Sequence, residues 1–367
     1  ETFAQRFSMT SSHIKLADCY LWDAWSFIEP GKWHLYCLGL HKYDSTGILI
    51  NPDHRNDHQF HIHHFESSDN GQHWADCGVF QQAGVCANGA DSGNVWSGDS
   101  HRTAGGDYWF AATGIRAIDS ERPFVQSLML GKSSTPQIFD GVMTPVLMAD
   151  EHHDQLTDKG YFLAAQQVLG HRDGELGGSI LALRDPYIVD LHSLGDEQVV
   201  DVVFAAKADN GTPAMGHIRV SLAGDVPELV EICHPIALPD ASLFTQFEVP
   251  KVIFDAKAQR YLLLGSTADR VDESQPEEEV NRYLRLYYAN DLRGPWNPAT
   301  LEGSELLGAG CRFGATIIEY KSDAQQLVCL APLTTMDESG GLFFDYSFSI
   351  DVGKLGRKER LAIQILS

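Results

Sequence analysis

The sequence predicts an all-β fold, a five-bladed β-propeller, from two features of its pattern. Helical periodicity is scarce, and short apolar runs alternate with turns rich in Gly, Asn and Asp along the 367 residues. These runs group into roughly five units of about 60–70 residues, each with three or four strands. A propeller accommodates such units better than a sandwich does, because it leaves only short, protected sheet edges.

The five units follow one another without a recognisable linker. They cover approximately residues 15–82, 94–131, 181–206, 248–296 and 314–346. Between the second and third units, the segment 147–178 is rich in His, Asp and Gly and is expected to form a long loop. We therefore expect residues 1–367 to form a single catalytic propeller domain.

Charge and hydropathy restrict the possible partners. The formal net charge of −23 disfavours nucleic acid, whose phosphates the protein would repel. No apolar run approaches the 18 residues typical of a transmembrane helix, so no membrane partner is expected. The first residues show no signal peptide pattern. The oligomeric state is left open.

Cysteine usage weakly favours a reducing compartment. The chain has seven cysteines, an odd number, and no Cys-x-x-Cys pair. This pattern disfavours both a disulfide framework and a structural zinc site, and most of these cysteines are expected to be small buried residues. The localisation is uncertain, with the cytoplasm slightly favoured over secretion.

Three acidic residues stand in strand-like surroundings far apart in the sequence. Asp23 lies between the indoles of Trp22 and Trp25, Asp185 precedes a proline, and Glu248 precedes an apolar run. Burying a carboxylate costs several kcal/mol unless it is compensated. Each residue alone also has a structural interpretation, as a strand-end hydrogen-bond acceptor, a turn residue or a salt-bridge partner.

The predicted fold gives these three acids a common location. The first strand of each propeller unit lines a central channel, and each acid falls early in its unit. Acid and base groups that cluster in a pocket are typical of catalytic sites. The set therefore favours three carboxylates converging on one pocket, and Arg184 is expected to keep its neighbour Asp185 ionised.

Four motifs in order carry a resemblance to a known family. They are Trp22-Asp23-Ala24-Trp25, Trp96-Ser97-Gly98, Arg184-Asp185-Pro186 and, matching only in part, Gln246-Phe247-Glu248-Val249-Pro250. In order and separation they resemble the motifs of glycoside hydrolase family 68, the levansucrases and related fructosyltransferases of the β-fructosidase clan. That family has a five-bladed propeller fold.

The resemblance implies a role for each matching residue. Asp23 would be the nucleophile that attacks the anomeric carbon of fructose, Asp185 the transition-state stabiliser and Glu248 the general acid/base. The remaining matches would bind substrate in the fructosyl subsite: Trp22, Trp96, Ser97 and Arg184. The implied activity is the retaining cleavage of β-fructofuranosides such as sucrose, without a cofactor.

The departures from the family pattern fall on the leaving-group side. Val249 replaces an arginine, Gln246 replaces an acid, and Asp99 stands where a small residue is usual. Arg270 is a candidate replacement for the lost substrate-binding contacts. The resemblance therefore implies that fructoside cleavage is kept, with hydrolysis favoured over polymer synthesis.

Two other functions remain open at this level. An inverting arabinosidase or xylosidase on the same fold would hold its carboxyl groups about 6.5–9.5 Å apart, against about 5–5.5 Å for a retaining enzyme. A propeller that binds carbohydrate without catalysis is also compatible with the fold. A histidine-rich segment at 54–64 lacks a carboxylate or cysteine at a recognisable spacing, so its histidines are expected to be solvated and no metal is predicted.

Overall fold

The computed structural model describes residues 8–9, 13–86, 88–103, 105–175, 180–181, 183–189, 198–272, 274–334 and 342–366. Five antiparallel sheets succeed one another along the chain, each built from consecutive strands. The predicted all-β, five-bladed propeller is confirmed. The segment at 1–7, on which the expectation about a signal peptide depends, lies outside the described residues.

The strands of the first three blades have the following bounds. Blade 1 contains β1 Ser8–Met9, β2 Cys19–Glu29, β3 Lys32–His41, β4 His61–Ser67 and β5 Trp74–Gln82. Blade 2 contains β6 Asn94–Arg102, β7 Tyr108–Arg116, β8 Val125–Ser133 and β9 Thr144–Met148. Blade 3 contains β10 Arg184–Val189, β11 Val199–Lys207, β12 Pro213–Ser221, β13 Glu228–Ile232 and β14 Ile236–Ala237.

The last two blades complete the ring. Blade 4 contains β15 Gln246–Asp255, β16 Arg260–Ala268, β17 Arg282–Ala289 and β18 Asn297–Pro298. Blade 5 contains β19 Thr316–Lys321, β20 Gln326–Leu330, β23 Phe348–Asp351 and β24 Gln364–Ile365, and β21 Pro332–Leu333 pairs with β22 Phe343–Phe344 in a separate small sheet. That small sheet also meets the start of the chain, where the amide of Ile14 donates to the Phe344 carbonyl at 3.0 Å.

Among the described residues, helices are few and short. One α-helix, α1, spans His153–Asp158, within the segment that the sequence predicts to be a long loop. Described 3₁₀ turns span Pro52–Asp57, Ala241–Leu243, Glu277–Glu279 and Val352–Lys354. Over the part of the chain that the structure describes, no helix combines the length and the apolarity needed to cross a membrane.

The inner ring is formed by β2 in blade 1 and by the first strand of each other blade. Strand β2 contacts β6 and β19, and β10 contacts β6 and β15. In all five of these strands the pairing register shifts by a bulge. A bulge bends its strand and re-aims a side chain, and bulges are common beside active sites.

The core is divided into apolar clusters that lie between neighbouring blades. Tyr36 belongs to the cluster between blades 1 and 2, Phe204 to that between blades 2 and 3, and Phe247 to that between blades 3 and 4. Each of these side chains is fully buried or nearly so, which stabilises the fold by about 1.5–3 kcal/mol per side chain. Packing between blades thus fixes the inner strands around the central channel.

Five of the seven cysteines are buried, as the sequence predicts for most of them. They are Cys19, Cys37, Cys86, Cys233 and Cys329.

Candidate functional site

A cavity of about 400 Å³ lies where the inner strands meet. It is lined by side chains from β2, β6, β10 and β15, together with the 3₁₀ turn at 52–57 and the segment that follows strand β16. All nine residues that the sequence singles out line this cavity: Trp22, Asp23, Trp96, Ser97, Arg184, Asp185, Gln246, Glu248 and Arg270. We call Asp23, Asp185 and Glu248 the acid cluster.

The acid cluster sits on strained backbone. Asp23 lies in the bulge of β2 with φ +47°, and Asp185 lies in the bulge of β10 with φ +60°. In β15, the residue after Glu248, Val249, has φ +50°. A positive φ is unusual for any residue but Gly, most of all for a β-branched one, and such strain costs on the order of 1–3 kcal/mol at each position. Strain of this size at the bulges of three inner strands is typical of a functional site.

Asp23 is held by neighbours from two other blades. The Ser97 hydroxyl donates a hydrogen bond of 2.7 Å to Asp23 Oδ2. On the other side Gly314, with φ +63°, approaches so closely that a Cβ there would overlap Asp23 Oδ1. Burial raises the pKa of Asp23 to about 6, an effect that the Ser97 hydrogen bond opposes and the charge of Glu248 reinforces. Asp23 is therefore positioned by contacts on both sides and carries an elevated pKa.

Asp185 is also buried and is tied to the same framework. The Val249 amide donates to Asp185 Oδ2 at 3.0 Å, and the Asp185 amide donates to the Thr113 hydroxyl at 2.8 Å. Burial raises the pKa of Asp185 to about 7, although the Arg184 charge acts to lower it. The Arg184 charge thus favours the ionised form of Asp185, as the sequence predicts, but desolvation outweighs it and the pKa stays above its ordinary value.

Arg184 is paired with the third acid instead. Its Nη2 donates to Glu248 Oε1, and both side chains are largely buried. The pair links the inner strands of blades 3 and 4 across the cavity. Within the acid cluster, the carboxyl group of Glu248 therefore forms an ion pair with Arg184.

Lys251 supplies a second positive charge that the sequence motifs do not single out. It is buried at 1% exposure on β15, three residues after Glu248. Burial lowers the pKa of Lys251, and the charges of Asp99, Asp185 and Asp23 oppose that effect. The sequence does contain an indication that Lys251 lies near acidic residues, because a lysine inside a buried strand normally requires acidic partners.

Asp99 is another buried charge beside the acid cluster. Its Oδ2 accepts hydrogen bonds from His101 Nε2 at 2.7 Å and from the Ile188 amide at 2.9 Å. The carboxylate therefore connects the inner strands of blades 2 and 3. This connection gives a physical reason for an acid where a small residue is usual.

Another part of the cavity lining is rich in arginines. Arg270 and Arg282 both donate to the carboxylate of Glu277, and Arg55 lies over the Trp22 ring with its Cζ 5.9 Å from the ring centre. Burial acts to raise the pKa of Glu277, but the three arginine charges outweigh it and the pKa is lowered. We call these four residues, Arg55, Arg270, Glu277 and Arg282, the arginine wall.

The arginine wall changes the interpretation of one charged segment. The stretch 271–280 is rich in acidic residues, which are mostly exposed in proteins, yet Glu277 and Glu278 line the cavity and Glu277 is half-buried. Arg270 lies in the cavity as expected, but its guanidinium is engaged by Glu277.

The histidine-rich segment also differs from expectation, because several of its histidines are buried and not solvated. His61, His63 and His64 are buried in strand β4, with exposures of 5%, 6% and 0%, whereas His54 is exposed. His61 and His63 share one strand face, as their spacing predicts. Both lie beside Cys19 of β2, a neighbour that sequence spacing could not reveal.

Several solved structures share the fold of this chain. A double variant of Bacillus subtilis levansucrase in complex with oligosaccharides matches 95% of this chain and 86% of its own, with a TM-score of 0.64 and 13% identity. An inulosucrase from Halalkalicoccus jeotgali bound to kestose matches over 97% and 91%, with a TM-score of 0.64 and 15% identity. The chain has the fold of glycoside hydrolase family 68.

A further match is a levansucrase variant complexed with sucrose, over 96% of this chain and 87% of its own, with a TM-score of 0.61 and 14% identity. No protein-family model and no curated protein sequence matches the chain. The family 68 resemblance noted from four motifs is therefore supported by three-dimensional structure, and at this identity the likeness establishes the fold.

Proposed function

We propose that this protein is a retaining glycosidase that cleaves β-fructofuranosides such as sucrose through a fructosyl-enzyme intermediate. The observation that carries the proposal is the acid cluster. Three carboxyl groups from three blades, two of them on residues with positive φ, meet in one cavity beside Ser97 and Arg184. The folds that match include sucrose and kestose complexes, which supports a small sugar as the ligand.

In the proposed first step, an Asp23 oxygen attacks the anomeric carbon of the fructosyl unit. The bond from that carbon to the bridging oxygen breaks, and Glu248 gives its proton to the departing oxygen. In the second step, Glu248 takes a proton from water or from a sugar hydroxyl, whose oxygen displaces Asp23. Asp185 accepts hydrogen bonds from fructose hydroxyls and favours positive charge at the anomeric carbon.

The Arg184–Glu248 ion pair has a consequence for substrate binding. Glu248 must give a proton to the departing oxygen, yet its Oε1 already accepts from Arg184 Nη2 in an ion pair. We infer that fructosyl hydroxyls replace Glu248 as the partner of Arg184 when the glycoside binds. Trp22 and Trp96 flank this position and provide apolar surface for the sugar ring.

We propose that water is the preferred acceptor. The leaving-group side carries Gln246, Val249 and the arginine wall in place of the family's residues, and Arg270 is already bound to Glu277. Incubation with sucrose, with free glucose and free fructose measured separately, tests this directly. Equal release supports hydrolysis, whereas glucose in excess of fructose means that the fructosyl group is transferred to other sugars.

The covalent intermediate has its own test. In the Glu248→Gln variant the second step should be slowed by about 10²–10⁴-fold, because the general base is lost. A β-fructosyl fluoride, whose leaving group needs no proton, should still react in the first step. Acid quenching followed by peptide mass spectrometry should then find one fructosyl unit on the peptide that contains Asp23. Activity of the wild type on aryl arabinosides or xylosides, with none on sucrose and no adduct, would instead favour the inverting class.

A further inference from the structure

A cluster of metal-binding side chains lies in blade 1, away from the cavity. Cys19 Sγ is 3.9 Å from His61 Nε2, which is 3.1 Å from His63 Nδ1. These three atoms all lie within 4.8 Å of one another, and all three residues are buried. Two imidazoles and a thiolate are typical ligands of Zn²⁺.

Two of the three distances between these atoms are close to what a zinc ion requires. Zinc–nitrogen bonds of about 2.0–2.1 Å and zinc–sulfur bonds of about 2.3 Å in a tetrahedron place two nitrogens about 3.3 Å apart and a nitrogen and sulfur about 3.6 Å apart. The distances of 3.1 and 3.9 Å differ from these values by only a few tenths of an ångström.

The proton on His63 is held away from the cluster. Asp76 Oδ1 lies 2.7 Å from His63 Nε2, and a carboxylate can only accept, so that nitrogen carries the proton. His63 Nδ1 therefore presents its lone pair to Cys19 and His61. A carboxylate behind the ligating histidine is the usual second layer of a zinc site.

The backbone of β3 makes room for the cluster. Gly39 pairs with Leu21 of β2 on one side and with His61 of β4 on the other. A Cβ at Gly39 would overlap His61 Nε2, so the imidazole lies directly across the strand. Only a glycine at this position lets a side chain of β4 reach a side chain of β2.

A second cluster in the described part of the chain, His34, His64 and Glu66, is a weaker candidate. It lacks a thiol, and Lys32 Nζ lies 3.1 Å from Glu66 Oε2. The lysine charge already neutralises the carboxylate and would repel a cation. This second cluster, next to the first in the same blade, offers a matched comparison.

We propose that Cys19, His61 and His63 bind one Zn²⁺ ion, with a solvent molecule as the fourth ligand. In the free protein His61 Nε2–H donates to His63 Nδ1. Binding replaces this hydrogen bond with two zinc–nitrogen bonds, and His61 changes tautomer: the proton on Nε2 leaves to the solvent and Nδ1 takes one up. The Cys19 S–H bond breaks, a zinc–sulfur bond forms, and the proton is released to the solvent. The ion would link strand β2, which carries Asp23, to strand β4.

Cobalt provides the first test, because a thiolate bound to Co²⁺ gives a charge-transfer band in the near ultraviolet. We expect one equivalent of Co²⁺ to produce this band in the reduced, chelator-treated protein and Zn²⁺ to abolish it. The band should be lost in Cys19→Ser and kept in Cys311→Ser, a variant that removes the exposed cysteine. Absence of the band in the wild-type protein, or its persistence in Cys19→Ser, would overturn the proposal.

Calorimetric titration with Zn²⁺ gives an independent test that needs no change at Cys19. Asp76→Asn should weaken zinc binding by about 10–100-fold, because the proton on His63 is no longer held in place. His64→Gln, which changes the second cluster, should leave the affinity unchanged. Loss of stoichiometric binding in His64→Gln with retention in Asp76→Asn would assign the ion to the second cluster instead.

Discussion

The acid cluster and the arginine wall line one cavity, but they are built differently. The acids stand on bulged inner strands whose backbone conformation fixes them, and burial dominates the pKa values of Asp23 and Asp185. The arginines come from connecting segments and from the start of β17, and Arg270 and Arg282 are held by one carboxylate, Glu277. In the proposed mechanism the sheet framework therefore determines the chemistry, whereas loops determine what surrounds the leaving group.

The largest expected effect is on the acid cluster itself. Asp23→Asn should lower kcat for sucrose by roughly 10⁴-fold or more, because the nucleophile is lost. Asp323→Asn, at a fully exposed turn in blade 5, is the control and should retain full activity. Activity of Asp23→Asn within tenfold of the wild type would remove Asp23 from the mechanism, and the inner strands would then not determine the chemistry.

The same substitution should stabilise the fold. The folded-state pKa of Asp23, about 6, lies above the ordinary value of 3.8, so ionisation at neutral pH costs on the order of 2–3 kcal/mol. The folded wild type takes up its proton before the unfolded chain does, so its stability rises as pH falls through about 6. Asp23→Asn should therefore have a higher free energy of unfolding at pH 7.5, with a smaller difference near pH 4, measured by urea denaturation.

Gly314→Ala should disturb the acid cluster through the backbone. A Cβ at this position would overlap Asp23 Oδ1, and a shift of about 1 Å in a reacting group can reduce the rate by about 10²-fold. Gly310→Ala is a matched control, because Gly310 has a similar φ of +57° but open space around its Cβ position. Equal losses of kcat in both variants would mean that backbone strain, and not contact with Asp23, is responsible.

Lys251→Met should move the pH dependence of the reaction. Asp23 must be ionised to attack, so kcat/KM should fall as pH drops through about 6. The Lys251 charge helps to lower the pKa of Asp23, so its removal should shift the acidic limb of the profile to higher pH. Lys257→Met, an exposed lysine in the turn between β15 and β16, should leave the limb in place.

The sequence predicts the inner strands better than it predicts the loops and the contacts between neighbouring strands. The inner strands carry short motifs, and strand alternation with regular units predicts the blades, so the sequence alone assigns Asp23, Asp185 and Glu248 to one cavity. The lateral contacts do not follow from the sequence, because Glu277 meets Arg282 through a loop conformation and Cys19 meets His61 across an intervening strand. The ion pair of Arg184 with Glu248 does not follow from the sequence for the same reason, since the two residues lie on different blades.

Substitution in the arginine wall should have the smallest effect on activity, and it best distinguishes the role of the loops from that of the inner strands. Arg270→Ala should raise KM for sucrose by about fivefold with kcat changed less than about twofold, because one hydrogen-bonding group on the leaving-group side is worth about 1 kcal/mol. Arg172→Ala, at an exposed ion pair with Asp57, should change neither value. A fall in kcat with unchanged KM would mean that Arg270 acts in the transition state, and the wall would then belong to the catalytic machinery and not to substrate selection.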